Sequence, residues 1–157
     1  MKVKERFIKR FGRQAYLVAL ATDFSPEVLL AQAALETGWG RYVPDNNLYG
    51  IKDLPWDPGM TEAQTEEVEE GIRKKVKALF EDFENPIESM LAYVALIRLS
   101  PRYHKAWLLR KDPQKYFEAL QEAGYATDPE YARKCLAVLR SLPADWFEKA
   151  LGKVIER

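Results

Sequence analysis

The chain is poor in the residues from which disulfides and metal centres are made. It holds one cysteine, Cys135, and one histidine, His104, among 157 residues. A lone cysteine excludes an intramolecular disulfide, and nothing calls for an oxidising compartment. One His and one Cys cannot supply the usual zinc ligand set, so neither a metal nor another cofactor is expected, and metal-dependent amidase or endopeptidase chemistry is disfavoured. Net charge is missing too, since 24 Lys and Arg balance 24 Asp and Glu. That removes any global electrostatic argument for nucleic acid or an anionic membrane as partner. No apolar run approaches the roughly 20 residues needed to cross a bilayer, so membrane insertion is not expected.

What remains is ordinary for a globular protein, with 47% apolar and 12% aromatic residues. The length fits one domain with a real core, expected as a monomer. Repeats, low-complexity tracts and linkers are absent. Cys135 sits among Leu and Ala and reads as a small buried hydrophobe rather than a nucleophile.

One stretch stands out. From Pro26 the residues run Pro-Glu-Val-Leu-Leu-Ala-Gln-Ala-Ala-Leu-Glu-Thr, after Ser25 as a helix cap. A helix apolar on almost every side belongs in a core. Its second half holds one acid, Glu36, a turn before Gly38-Trp39-Gly40. Burial and the negative end of the helix dipole both favour the neutral acid and raise its pKa. A carboxyl kept protonated beside an aromatic ring and a glycine turn is equipped to act as a general acid. The alternative is a plain surface Glu closing a helix, and residue type alone leaves both open. The following loop, about residues 38 to 57, is long and carries Trp39, Tyr42, Tyr49 and Trp56. Such aromatics suit either sugar faces or a local core.

Further on, Glu62, Glu66, Glu67, Glu69 and Glu70 read mainly as a charged edge. If residues 65 to 70 are extended, Glu67 and Glu69 share a face opposite Glu66 and Glu70. Residues 72 to 83 read as a second strand. Asn85-Pro86, Asp112-Pro113 and Asp128-Pro129 each place a cap before a proline, predicting helices over about 86–99, 113–123 and 129–141, with a last one near 144–155.

Ala31-Gln32-Ala33-Ala34-Leu35-Glu36-Thr37-Gly38-Trp39-Gly40, then Asn47-Leu48-Tyr49-Gly50-Ile51-Lys52, resembles the signature of glycoside hydrolase family 73, bacterial and phage N-acetylglucosaminidases that cut peptidoglycan. The resemblance continues through Ser100-Pro101-Arg102-Tyr103 and the run from Ala123 to Ala132, covering about residues 7 to 140. It implies an α+β, mainly α, lysozyme-like fold: a helical lobe (1–49 and 85–157) with a small antiparallel β flap (about 50–84) facing the catalytic helix. It implies hydrolysis of β-1,4 bonds after N-acetylglucosamine in peptidoglycan, in an autolysin or phage endolysin. Glu36 takes the acid role. The second carboxylate falls on Glu67, with Glu66 one residue away in register and Glu69 on the same face. Tyr125 matches the family tyrosine beside the acid, and Trp39, Asn47, Tyr49, Tyr103 and Glu69 are candidate sugar contacts. The rival activities are a muramidase or lytic transglycosylase, and a non-catalytic glycan binder.

The basic N-terminal segment (Lys2, Lys4, Arg6, Lys9, Arg10 and Arg13) followed by Ala15–Ala21 reads either as a signal peptide or as an amphipathic helix with Val3, Phe7, Phe11 and Val18 near one face. The family pattern begins at about Phe7, which favours the helix. Action on the wall then requires release by a holin or another export route.

Overall fold

The computed structural model describes residues 2–52, 60–69 and 72–152, with backbone alone for 60–69 and 72–79. Trp56 and Glu70 lie outside the described residues. Seven α-helices and one two-stranded antiparallel ladder make up the described chain.

Helix α1 (Val3–Thr22) buries Phe7, Ile8, Phe11, Gly12, Ala15, Val18 and Ala19 along one stripe. The N-terminal segment is thus a core helix, packed on α2 (Pro26–Thr37), α3 (Pro86–Leu99) and α7 (Trp146–Leu151). The α1–α7 crossing is close, and Gly12 permits it: a Cβ there would stand 2.6 Å from Ala150 Cβ. Helix α2 starts as its sequence dictates, with the Ser25 hydroxyl accepting from Val28 N–H at 3.4 Å and Pro26 in the first turn. Val28 to Ala34 are buried throughout, so α2 is the central helix. Each large apolar side chain removed from water there stabilises the fold by about 1.5–3 kcal/mol.

Strands β1 (Met60–Glu69) and β2 (Ile72–Glu81) pair in one register from Met60 opposite Glu81 to Glu69 opposite Ile72. The ladder is longer than residues 65 to 70 alone implied. Its root is tied to the loop after α2. Glu81 N–H donates to Ile51 C=O at 2.8 Å, and Phe83 N–H donates to Asp45 C=O at 2.9 Å.

The Asn85 and Asp112 side chains cap α3 and α5 (Pro113–Glu122), accepting from Glu88 and Lys115 N–H. Asp128 does not cap a helix directly. Its carboxyl accepts from Glu130 N–H, forming a turn, and α6 (Tyr131–Arg140) starts later than Pro129 implied. The face α6 buries is Tyr131, Ala132 and Cys135; Leu136, Leu139 and Leu142 pack only at its margin. A five-residue helix, α4 (His104–Leu108), follows Pro101–Tyr103 and was not foreseen from the sequence.

Candidate active site

Glu36 is the penultimate residue of α2, and the chain turns sharply after it. Gly38, Trp39 and Gly40 all adopt left-handed backbone (φ +57°, +59° and +78°). Thr37 stabilises this turn, its hydroxyl donating to Ala33 C=O at 2.6 Å and accepting from Gly40 N–H at 2.9 Å. Glu36 itself is exposed to solvent, unlike the buried residues that precede it in α2. Protein behind the carboxyl displaces enough water to raise its pKa above the ordinary carboxylate value, and a hydrogen bond from Tyr131 opposes that rise. The Tyr131 hydroxyl donates to Glu36 Oε1 at 3.4 Å. Oε2 faces Gly50, where a Cβ would lie 3.6 Å away.

Two tyrosines neighbour the acid, Tyr131 and Tyr125. Tyr125 follows Gly124, whose left-handed φ of +76° ends α5 in a reversal. Arg102 holds that reversal, donating to Ala123 C=O at 2.6 Å and Gly124 C=O at 3.1 Å. The half-buried Tyr125 ring lies 5.7 Å from both Tyr131 and Tyr103 and 6.2 Å from Tyr93. Burial first, and the Glu36 charge second, push its phenol well above the usual range. Tyr125 therefore remains a neutral hydroxyl near the acid. Behind it, Gln32, one helical turn before Glu36, donates from Nε2 to the Tyr131 hydroxyl at 2.9 Å. Gln32 Oε1 accepts from Tyr93, whose hydroxyl also meets that of Tyr116.

The sequence missed Tyr131 and Gln32. A buried amide in an otherwise apolar helix was the available signal, because such a group requires partners.

Two residues foreseen as sugar contacts prove to be framework. Asn47 is buried, its Nδ2 donating to Ile51 and Glu81 C=O at 2.9 and 3.1 Å, and its Oδ1 accepting from Tyr49 and Ile51 N–H. No polar atom of its side chain is left for a sugar, and its work is to join the loop to β2. Tyr49 is buried as well, stacked 4.4 Å from Tyr93 and donating to Leu29 C=O at 3.0 Å. Trp39 is half-buried, edge-on to Phe7 at 5.5 Å with Lys4 over its ring. Tyr42 is 71% exposed, so the loop aromatics do not form one cluster. Tyr103 is buried against Tyr125. Glu67 stands opposite Lys74 in the backbone register, Glu66 opposite Lys75 and Glu69 opposite Ile72.

Cys135 is buried and its thiol is pushed up to about 12 by burial, so it is no nucleophile. Among the described residues, no group of three His, Cys, Asp or Glu is placed to hold a metal ion.

An acid at the end of a buried helix, beside the neutral phenols of Tyr131 and Tyr125, is suited to protonating a leaving oxygen. A glucosaminidase family model, described as mannosyl-glycoprotein endo-β-N-acetylglucosaminidase, matches residues 12–143. The chain belongs to this family, glycoside hydrolase family 73. It is 38% identical over 146 residues to the peptidoglycan hydrolase FlgJ of Salmonella typhimurium, covering 88% of this chain and 46% of that protein. It is 33% identical over 150 residues to the exo-glucosaminidase LytG of Bacillus subtilis, covering 91% and 53%. The chain spans about half the length of these curated relatives. A solved peptidoglycan hydrolase mutant from Sphingomonas sp. A1 superposes with a TM-score of 0.77 at 33% identity, covering 94% of this chain and 98% of that one. The chain accordingly has a mainly α, lysozyme-like fold.

Proposed function

We propose that this glycosidase hydrolyses the glycan strand of bacterial peptidoglycan at β-1,4 bonds after N-acetylglucosamine, with Glu36 as the general acid. The observation that carries the reading is the environment of Glu36, a solvent-reachable carboxyl whose pKa burial holds above the ordinary value. Glycoside cleavage needs an acid on the departing oxygen and a second group on the opposite face of the sugar. Glu36 donates its proton to that oxygen as the bond breaks. Glu67, on the hairpin rooted beside Tyr49 and Gly50, is the second carboxylate by family resemblance, with Glu66 and Glu69 its near neighbours. Tyr125, neutral and close to Glu36, orients the acetamido group or supports developing charge. Trp39 and Glu69 contribute to sugar binding, and the buried Tyr103 supports the Tyr125 ring. The names of the FlgJ and LytG relatives support wall glycan as the substrate class. The protein works as a monomer on the cell wall, as an autolysin or phage endolysin.

Digestion of purified peptidoglycan, followed by mass spectrometry of the reduced products, tests this. Reducing N-acetylglucosamine ends are expected. Reducing N-acetylmuramic acid would instead establish a muramidase, and anhydro-muramic ends a lytic transglycosylase. Glycan binding without any product would establish a non-catalytic binder.

A further inference from the structure

The hydrogen bonds that run from the core to Glu36 have a direction. In a carboxamide only the nitrogen donates and only the oxygen accepts. Gln32 Oε1 accepts from Tyr93, so Nε2 is the end turned towards Tyr131, 2.9 Å away. The Tyr131 oxygen therefore already accepts a hydrogen bond, and its single proton is available to Glu36 Oε1, with the neutral Cys135 thiol as the weaker rival acceptor. Gln32, Tyr93, Tyr116 and Tyr131 are all buried, so bulk water offers these groups no ready alternative partner.

A protonated carboxyl has one oxygen that carries the proton and one that accepts. We propose that Gln32 is a positioning residue which, through Tyr131, makes Oε1 of Glu36 the accepting oxygen and so places the acid proton on Oε2, the oxygen that faces Gly50. This deepens the reading of Glu36 as the acid and rests on it. Oε2 is the oxygen on the Gly50 side, where the backbone φ of +62° favours glycine and, among the described residues, a Cβ would meet only Glu36 Oε2 within 4 Å. Donation from Gln32 also polarises the Tyr131 hydroxyl and strengthens its bond to the carboxylate left after proton transfer. Among the described residues, the ionisable groups that act on or respond to Glu36 are Tyr131 and Cys135 of α6 and Tyr125 of the loop before it. All three are held neutral, which leaves the hydrogen bond as the adjustable influence.

The test is a titration of the Glu36 carboxyl by ¹³C NMR in the whole chain, for the parent, Tyr131→Phe, Gln32→Met and the double variant. Tyr131→Phe removes a bond that favours the charged form, so the Glu36 midpoint should rise, by about 0.5 pH unit for a bond this long. Gln32→Met should raise it by less, and should add nothing in the Tyr131→Phe background. The basic limb of kcat/KM on soluble glycan strands should move with the NMR midpoint while KM holds. If Gln32→Met does not fold, Tyr93→Phe removes the clamp on Oε1 and is read in the same way. A midpoint unchanged by Gln32→Met, with only melting temperature lowered, overturns the proposal. So does a Gln32→Met shift that persists at full size without the Tyr131 hydroxyl. NMR shifts as expected in a protein that releases no reducing ends would leave the relay standing and overturn the glycosidase reading instead.

Discussion

Replacing Glu36 by Gln removes one proton and little else. The amide keeps the side-chain shape, and its oxygen still accepts from Tyr131 where Oε1 does now. Nothing in the buried face of α2 changes, because Val28 to Ala34 carry that packing. What is lost is donation to the leaving oxygen. General acids contribute about 10²- to 10⁴-fold, or about 3–5 kcal/mol of transition-state stabilisation, and a sugar alkoxide is a poor enough leaving group to place the loss at the upper end. Stability should move the other way. Because the folded pKa of Glu36 is raised, folding favours the neutral acid, and ionising it as pH rises through that pKa destabilises the fold. Glu36→Gln should therefore melt higher than the parent at neutral pH and match it below the ordinary glutamate pKa. The assays are release of reducing ends from purified peptidoglycan, and melting curves at pH 4 and 7. Turnover within tenfold of the parent, in a folded variant, would falsify the acid assignment.

Glu67→Gln should reduce turnover less completely than Glu36→Gln, and Glu66→Gln should matter little; an inactive Glu66→Gln beside an active Glu67→Gln would shift the family register by one. Arg102→Ala removes the donor to Ala123 and Gly124 C=O that holds the turn before Tyr125. For an exposed donor the stability loss should be about 1 kcal/mol, and kcat should fall with it, read by urea denaturation and product release. Gly12→Ala forces a methyl against Ala150, and overpacking of this kind costs about 1–3 kcal/mol; an unchanged urea midpoint would mean that α7 moves aside freely. The Cys135 thiol should resist a thiol reagent in the native protein and react once urea unfolds it.

Features decided within a few residues were legible in the sequence. Ser25-Pro26, Asn85-Pro86 and Asp112-Pro113 each mark a helix start, because cap and proline act within one turn. Asp128-Pro129 has the same letters, yet Asp128 turns its carboxyl to Glu130 N–H and to the Lys134 ammonium, and the helix begins beyond them. Glu36 stood out because its helix is apolar and ends at glycine, while its acid role came from the family resemblance rather than from residue type. Its partner Tyr131 was not, since the two lie 95 residues apart and meet only when α6 packs on α2. Asn47 and Tyr49 show the reverse limit. Their motif marks them as important, but residue type does not say whether a side chain points into the cleft or into the frame that builds it.

Among the described residues, the hydrogen-bond partner of Glu36 is a phenol rather than an ion, and this bears on where such an acid can work. Ion pairs on the surface, such as Lys105 with Glu122, weaken as dissolved salt screens them over about 10 Å or less. The causes that set the proton affinity of Glu36 among the described residues are burial and one neutral hydroxyl, and neither is screened. On the proposed wall substrate, ionic strength should therefore alter binding far more than it alters the readiness of the proposed acid. In a matrix whose counter-ion content changes from place to place, the chemistry runs at one setting while attachment varies around it.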